Sequence, residues 1–106
     1  MLPKSKRIPR KAFKPLLDSK RYFNSEHFSV KVADSKETKI AVSVSKKVSK
    51  SAVIRNKVRR RVYSILKDII QIIKPNLYLI IVKAGAQNVK GEKLKKELSL
   101  LMVNKL

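Results

Sequence analysis

The chain has 106 residues, with 27 Lys and Arg against 7 Asp and Glu, a formal net charge of +20 and a hydrophobic content of 43%. That length supports one domain, expected to span residues 1–106, and the aliphatic content excludes a disordered polyelectrolyte. So much positive charge on a compact body repels itself unless a polyanion lies against it, while the absence of Cys excludes disulfides, thiolate chemistry and CxxC zinc pairs.

Residues 1–11 carry Lys4, Lys6, Arg7, Arg10 and Lys11 around Pro3 and Pro9, with no acid before Asp18, and read as an extended basic arm. A short helix is expected over Ala12 to Lys20, with Pro15 in its first turn, where a missing N–H costs nothing. From His27 the apolar period becomes two, Phe28, Val30 and Val32 sharing one face and Ser29 and Lys31 the other. After the polar turn Asp34 to Thr38, Ile40, Val42 and Val44 alternate with Ala41, Ser43 and Ser45, so the two strands are predicted to form a hairpin. Ser51 caps a predicted helix from Ala52 to about Lys74, whose apolar positions Val58, Val62, Ile65, Ile69, Ile72 and Ile73 recur every three or four residues. Lys74-Pro75-Asn76 ends it. Leu77 to Lys83 has no visible period, as in a strand covered on both faces, and a last helix is expected over roughly Lys90 to Asn104.

The order α-β-β-α-β-α predicts an α+β sandwich with helices packed on one side of a mostly antiparallel sheet. The other face would then present Ser29, Lys31, Ala41, Ser43 and Ser45, a small and polar surface open to a ligand. The longest apolar run, Leu77 to Val82, is far short of a membrane span, and no GxGxxG or GxxxxGK string marks a nucleotide site. The expected setting is the cytoplasm, with neither a membrane nor a small-molecule cofactor as partner.

The segment Lys46 to Arg61, KKVSKSAVIRNKVRRR, holds eight basic residues in sixteen, and the acid-free stretch runs from Thr38 to Lys67. A solvated charged helix would intersperse Glu for pairing one turn away; like charges on successive turns need an external anion. On a helical wheel Asn56, Arg60, Tyr63 and Lys67 form a stripe opposite the Val58, Val62 and Ile69 face, and Arg55 and Arg59 flank the apolar edge.

Val44 to Lys47 (VSKK) followed by Ala52-Val53-Ile54-Arg55-Asn56-Lys57-Val58-Arg59-Arg60 resembles the signature of the bacterial ribonuclease P protein component, a strand ending in S-K-K/R and then A-V-x-R-N-x-x-K/R-R on a helix. The resemblance extends from about Arg7 to the chain end through Phe13 and His27-Phe28. It implies a subunit that binds a catalytic RNA and the 5′ leader of precursor tRNA, supporting endonucleolytic removal of the leader, with Mg²⁺ expected in the holoenzyme through the RNA. It also implies a ribosomal protein S5 domain 2-like fold with a left-handed β-α-β crossover. Carried over by position, Lys46, Lys47, Arg55, Asn56, Lys57, Arg59 and Arg60 would bind RNA, and Phe13, Ser29, Lys31, Ser43 and Ser45 would line the leader cleft. Three positions depart from the pattern: Leu17 and Lys31 stand where the family has aromatic residues, and Tyr63 replaces a late helix arginine.

No residue is assigned to catalysis or to a metal. Asp18, Glu26, Asp34, Glu37, Asp68, Glu92 and Glu97 are scattered, and the single His27 has no partner at a defined spacing, which argues against a self-sufficient nuclease. His27 reads as a surface or core-edge residue, and Phe23 and Phe28 as core or hinge. The alternative reading is a structural RNA-binding protein of ribosomal type, which would share charge and size but has no need of the Arg55 to Arg60 pattern.

Overall fold

The computed structural model describes Ile8, Leu16, Asp18 and residues 21–104. The rest of the expected arm and of the expected first helix, with Phe13 and Leu17, lies outside the described residues. Four strands, β1 (Tyr22–Asn24), β2 (Phe28–Asp34), β3 (Lys39–Val44) and β4 (Asn76–Val82), form one sheet in the order β1-β2-β4-β3. Helix α1 (Ala52–Ile69) joins β3 to β4, and α2 (Gly91–Ser99) follows β4, continuing as a wider π-type turn over Leu100–Asn104. No helix among the described residues is long and apolar enough to cross a membrane.

The hairpin expected between β2 and β3 does not form. β4 lies between them, antiparallel to β2 and parallel to β3, and the sheet is mixed. The reason is burial: Tyr78, Ile80 and Val82 enter the main core while Leu79 is buried on the opposite face, so the strand apolar on both sides takes the middle and the two alternating strands flank it. β1, absent from the sequence expectation, is only three residues long and pairs antiparallel with β2 through Phe23 and Val30.

Helix α1 starts where Ser51 accepts a hydrogen bond from the Ile54 amide, and it buries Val58, Val62, Ile65, Leu66 and Ile69. Fully burying a side chain of this size is worth roughly 1.5–3 kcal/mol, so this stripe anchors the helix to the sheet whatever its outer face carries. The helix ends at Ile69 rather than Lys74. Its last bond runs from the Ile70 amide to the Leu66 carbonyl, and the Ile72 amide then turns tightly onto Ile69. Pro75 disfavours helical backbone at Lys74, and the chain must reverse to enter β4 at Asn76. Ile73 still reaches the core, but Ile72 leaves the stripe and is 65% exposed. The Tyr63 ring, expected on the polar stripe, is half-buried and packs against the core.

The second sheet face is not bare. Ile8, Leu16 and Leu79 form a small cluster there, with Ala33, Ala41, Leu77 and Ile81 packed around it. Leu16 is helical and fully buried. The helical residues therefore lie on both sides of the sheet, against the expectation of one side. What stays accessible is the margin of that face.

Candidate nucleic-acid interface

Two surfaces meet at the end of β3. Ser43 lies on the second sheet face and Ser45 follows the strand, both exposed, and the chain passes directly into Lys46 and Lys47. A compact turn forms there: the Val48 amide donates to the Ser45 carbonyl at 3.0 Å and the Lys47 amide to Ser45 Oγ at 3.2 Å. Val48 is buried, so both lysine side chains are turned to solvent beside the start of α1.

Along α1, Asn56, Lys57 and Arg60 are exposed, and Arg55 and Arg59 are half-buried at the edge of the apolar stripe, as the wheel predicts. The two edge arginines are already oriented. Arg55 Nη1 donates to the carbonyls of Ser49 and Lys50, 3.0 Å each, tying the loop to the helix. Arg59 Nη1 donates to Asn56 Oδ1 at 2.7 Å, which holds one edge of its guanidinium and leaves other N–H groups for an anion. Asn56 thus positions Arg59, a role no composition argument could assign. Among the described residues, none of Lys46, Lys47, Lys57, Arg59 and Arg60 forms an ion pair with a carboxylate. A shallow pocket beside Val53, Asn56, Lys57 and Arg60 continues this surface.

The second surface is the margin of the sheet. Register places Asn24, Ser29, Ile81 and Ser43 in one row across the four strands, and Tyr22, Lys31, Leu79 and Ala41 in the next. Ser29 and Lys31 are half-buried, and the second row is roofed at Leu79 by Leu16 and Ile8. Ser29, Lys31 and Ser43 are therefore brought to one face, as expected, with Ser45 in the turn just past the end of β3, but the accessible part is a strip rather than the whole sheet. Tyr22 is the residue that sequence reasoning missed, because a three-residue strand leaves no readable alternation.

A third feature joins residues far apart in the chain. Glu97 of α2 accepts hydrogen bonds from Ser25 Oγ at 2.5 Å, from the His27 amide at 2.7 Å, and its Oε1 lies 2.7 Å from His27 Nδ1. Burial pushes the Glu97 carboxyl up, but the hydrogen bonds from Ser25 and His27, with the charge of the imidazole, outweigh it and hold the carboxyl below its usual value. His27 is a half-buried core-edge residue, and there it forms one half of a polar pin from the β1–β2 turn to α2. Glu26, His27 and Glu97 have ligand atoms within 4.8 Å of one another, yet both Glu97 oxygens are occupied by the turn. Lys90, Lys93 and Lys96 line the same groove, which disfavours a cation.

A family model described as Ribonuclease P matches residues 2–105. The chain is 29% identical over 106 residues to the ribonuclease P protein component of Picosynechococcus sp., covering 96% of this chain and 91% of that one. It is 31% identical over 90 residues to that of Microcystis aeruginosa, covering 79% and 75%. Its fold is similar to the RNase P protein of Staphylococcus aureus, with a TM-score of 0.82 at 24% identity over 96% of this chain and 94% of that one. The RNase P protein of Thermotoga maritima superposes with a TM-score of 0.83 at 20% identity, covering 92% and 96%.

Proposed function

This chain belongs to the ribonuclease P protein family and is a protein subunit of the ribonucleoprotein that processes tRNA 5′ ends; from that premise we propose that its two surfaces divide the RNA between them. The basic turn and helix bind folded RNA: Lys46, Lys47, Lys57, Arg59 and Arg60 take its phosphates, while Arg55 and Asn56 hold the loop and the Arg59 guanidinium in place for them. The sheet margin, Ser29, Lys31, Ser43 and Ser45, takes the single-stranded leader of precursor tRNA, and Phe13, outside the described residues, completes the cleft.

The observation that carries this reading is the set of cations on α1 and its leading turn that have no carboxylate partner among the described residues and that adjoin a polar strip of sheet at Ser43 and Ser45. Cations neutralising phosphates displace counterions and bind without reading sequence. An extended strip with hydroxyls and one lysine suits a single strand, which needs charge and stacking rather than groove shape. Arg55 works through geometry, fixing the loop that presents Lys46 and Lys47, whereas Arg60 is free to swing onto a phosphate.

The chemistry is assigned to the RNA subunit with its Mg²⁺, and the protein's part is to raise affinity for the precursor in a cytoplasmic particle. The test compares RNA-free protein with the particle assembled on its RNA subunit at physiological Mg²⁺. Cleavage of precursor tRNA is expected only from the particle, and Lys31→Ala is expected to narrow its preference for precursor over mature tRNA. Cleavage by rigorously RNA-free protein would move the chemistry into this chain, and an unchanged preference would remove the leader from the sheet.

A further inference from the structure

Of the aromatic residues among those described, Phe28 and Tyr78 are buried, Phe23 and Tyr63 are half-buried, and Tyr22 alone is exposed, at 56%. Its neighbour Phe23 packs against the main core, and the strand's alternation puts Tyr22 and Asn24 on the opposite face. That face is the polar strip described above. Tyr22 stands directly across from Lys31, and Asn24 across from Ser29. Side chains opposite one another on antiparallel strands have Cβ atoms about 4.5–5.5 Å apart, so Tyr22 and Lys31 leave the sheet from neighbouring positions on one face.

An exposed tyrosine on an edge strand can be simple strand preference. The surroundings distinguish this one. No other exposed aromatic is described, the residue across from it is a lysine, and Asn24, Ser29 and Ser43 in the next row offer hydrogen-bonding groups. A ring for a base and an ammonium for the adjoining phosphate are the two elements a single-strand site requires. We propose that Tyr22 is a stacking platform for one unpaired base, supplying on β1 the aromatic surface that the neighbouring position on β2 lacks because it is Lys31. The proposal rests on the sheet margin being the leader surface. It adds a contact that reads the presence of a base, where Lys31 reads only charge.

The test uses the assembled particle with wild-type, Tyr22→Phe, Tyr22→Leu and Lys31→Ala protein, and measures precursor against mature tRNA affinity. Tyr22→Leu is expected to narrow the precursor preference by about fivefold or more, and Tyr22→Phe, which keeps the ring, to retain it. A set of precursors with a single abasic nucleotide at successive leader positions then locates the base. At one position the wild-type particle should lose the same factor, and Tyr22→Leu should lose nothing further. A retained preference in Tyr22→Leu with a narrowed one in Lys31→Ala overturns the stacking role and leaves the leader surface standing. A retained preference in both overturns the leader surface and the proposal together. A loss in Tyr22→Leu that adds in full to every abasic position assigns the effect to the fold of β1 and overturns the platform, as does an equal loss in Tyr22→Phe.

Discussion

The groove beneath α2 and the outer face of α1 both concentrate charge, and they treat it in opposite ways. At Glu97 the carboxylate accepts from Ser25 Oγ, the His27 amide and the His27 ring, so its bonding capacity is used inside the molecule. Along α1 the only described partners of the edge arginines are carbonyl oxygens, at Ser49 and Lys50 for Arg55 and at Asn56 for Arg59. Those neutral acceptors orient a guanidinium without cancelling its charge. The first arrangement stabilises the fold, and the second keeps a field directed outward. Net charge alone, +20 over the whole chain, would not have separated the two.

Substitutions can break that comparison at either end. Glu97→Ala strands two donors of the β1–β2 turn and the His27 ring in a part-buried site, and is expected to cost on the order of 3 kcal/mol of stability in urea unfolding. RNA affinity measured well below the melting temperature should hold; a folded Glu97→Ala protein with full stability would show that the pin is incidental. Arg59→Ala combined with Arg60→Ala should leave stability within about 0.5 kcal/mol, since both lie outside the buried stripe. It should weaken RNA binding by about tenfold, near 1.4 kcal/mol, and lower the log–log salt slope by somewhat under about one unit per lost contact. Unchanged affinity and slope would return that face to the status of solvated charge.

Acid titration sharpens the contrast. The folded carboxyl of Glu97 lies below its unfolded value, so its stabilisation is fully present above the usual carboxylate range and is lost as pH falls through the depressed folded value. Glu97→Gln should therefore flatten the acid limb of the stability profile, while the Arg59→Ala, Arg60→Ala protein keeps the wild-type limb. Arg55→Lys has the smallest expected effect, about 1 kcal/mol in stability, because one guanidinium spans two carbonyls and an ammonium on a shorter reach does not. Its salt slope should remain that of wild type, since the charge is kept. A reduced slope would make Arg55 itself a phosphate ligand.

Much of helix α1 was legible in the sequence. Val58, Val62, Ile65 and Ile69 state their own period, and the acid-free run from Thr38 to Lys67 states its need for an anion. The strands β2 and β3 were equally legible, because alternation is a property of neighbours two residues apart. The second sheet face was legible only in part: Ser29, Lys31 and Ser43 do share it, but alternation could not tell that Leu79 on the same face would be roofed by Leu16. The 3-residue β1 was too short to show a period, and Tyr22 was missed with it.

By itself the sequence determined which side of β2, β3 and α1 is apolar and where positive charge has no local counterion, since both follow from spacings of two to four residues. The tertiary structure alone decided that β4 would separate β2 from β3, because the central place goes to the strand with two faces to bury, and that depends on what every other segment can cover. It alone also brought His27 to Glu97, 70 positions away, and so made one carboxylate a structural pin. A hydrogen bond depends on distance in space, and sequence separation carries no trace of it until the chain has closed around its core.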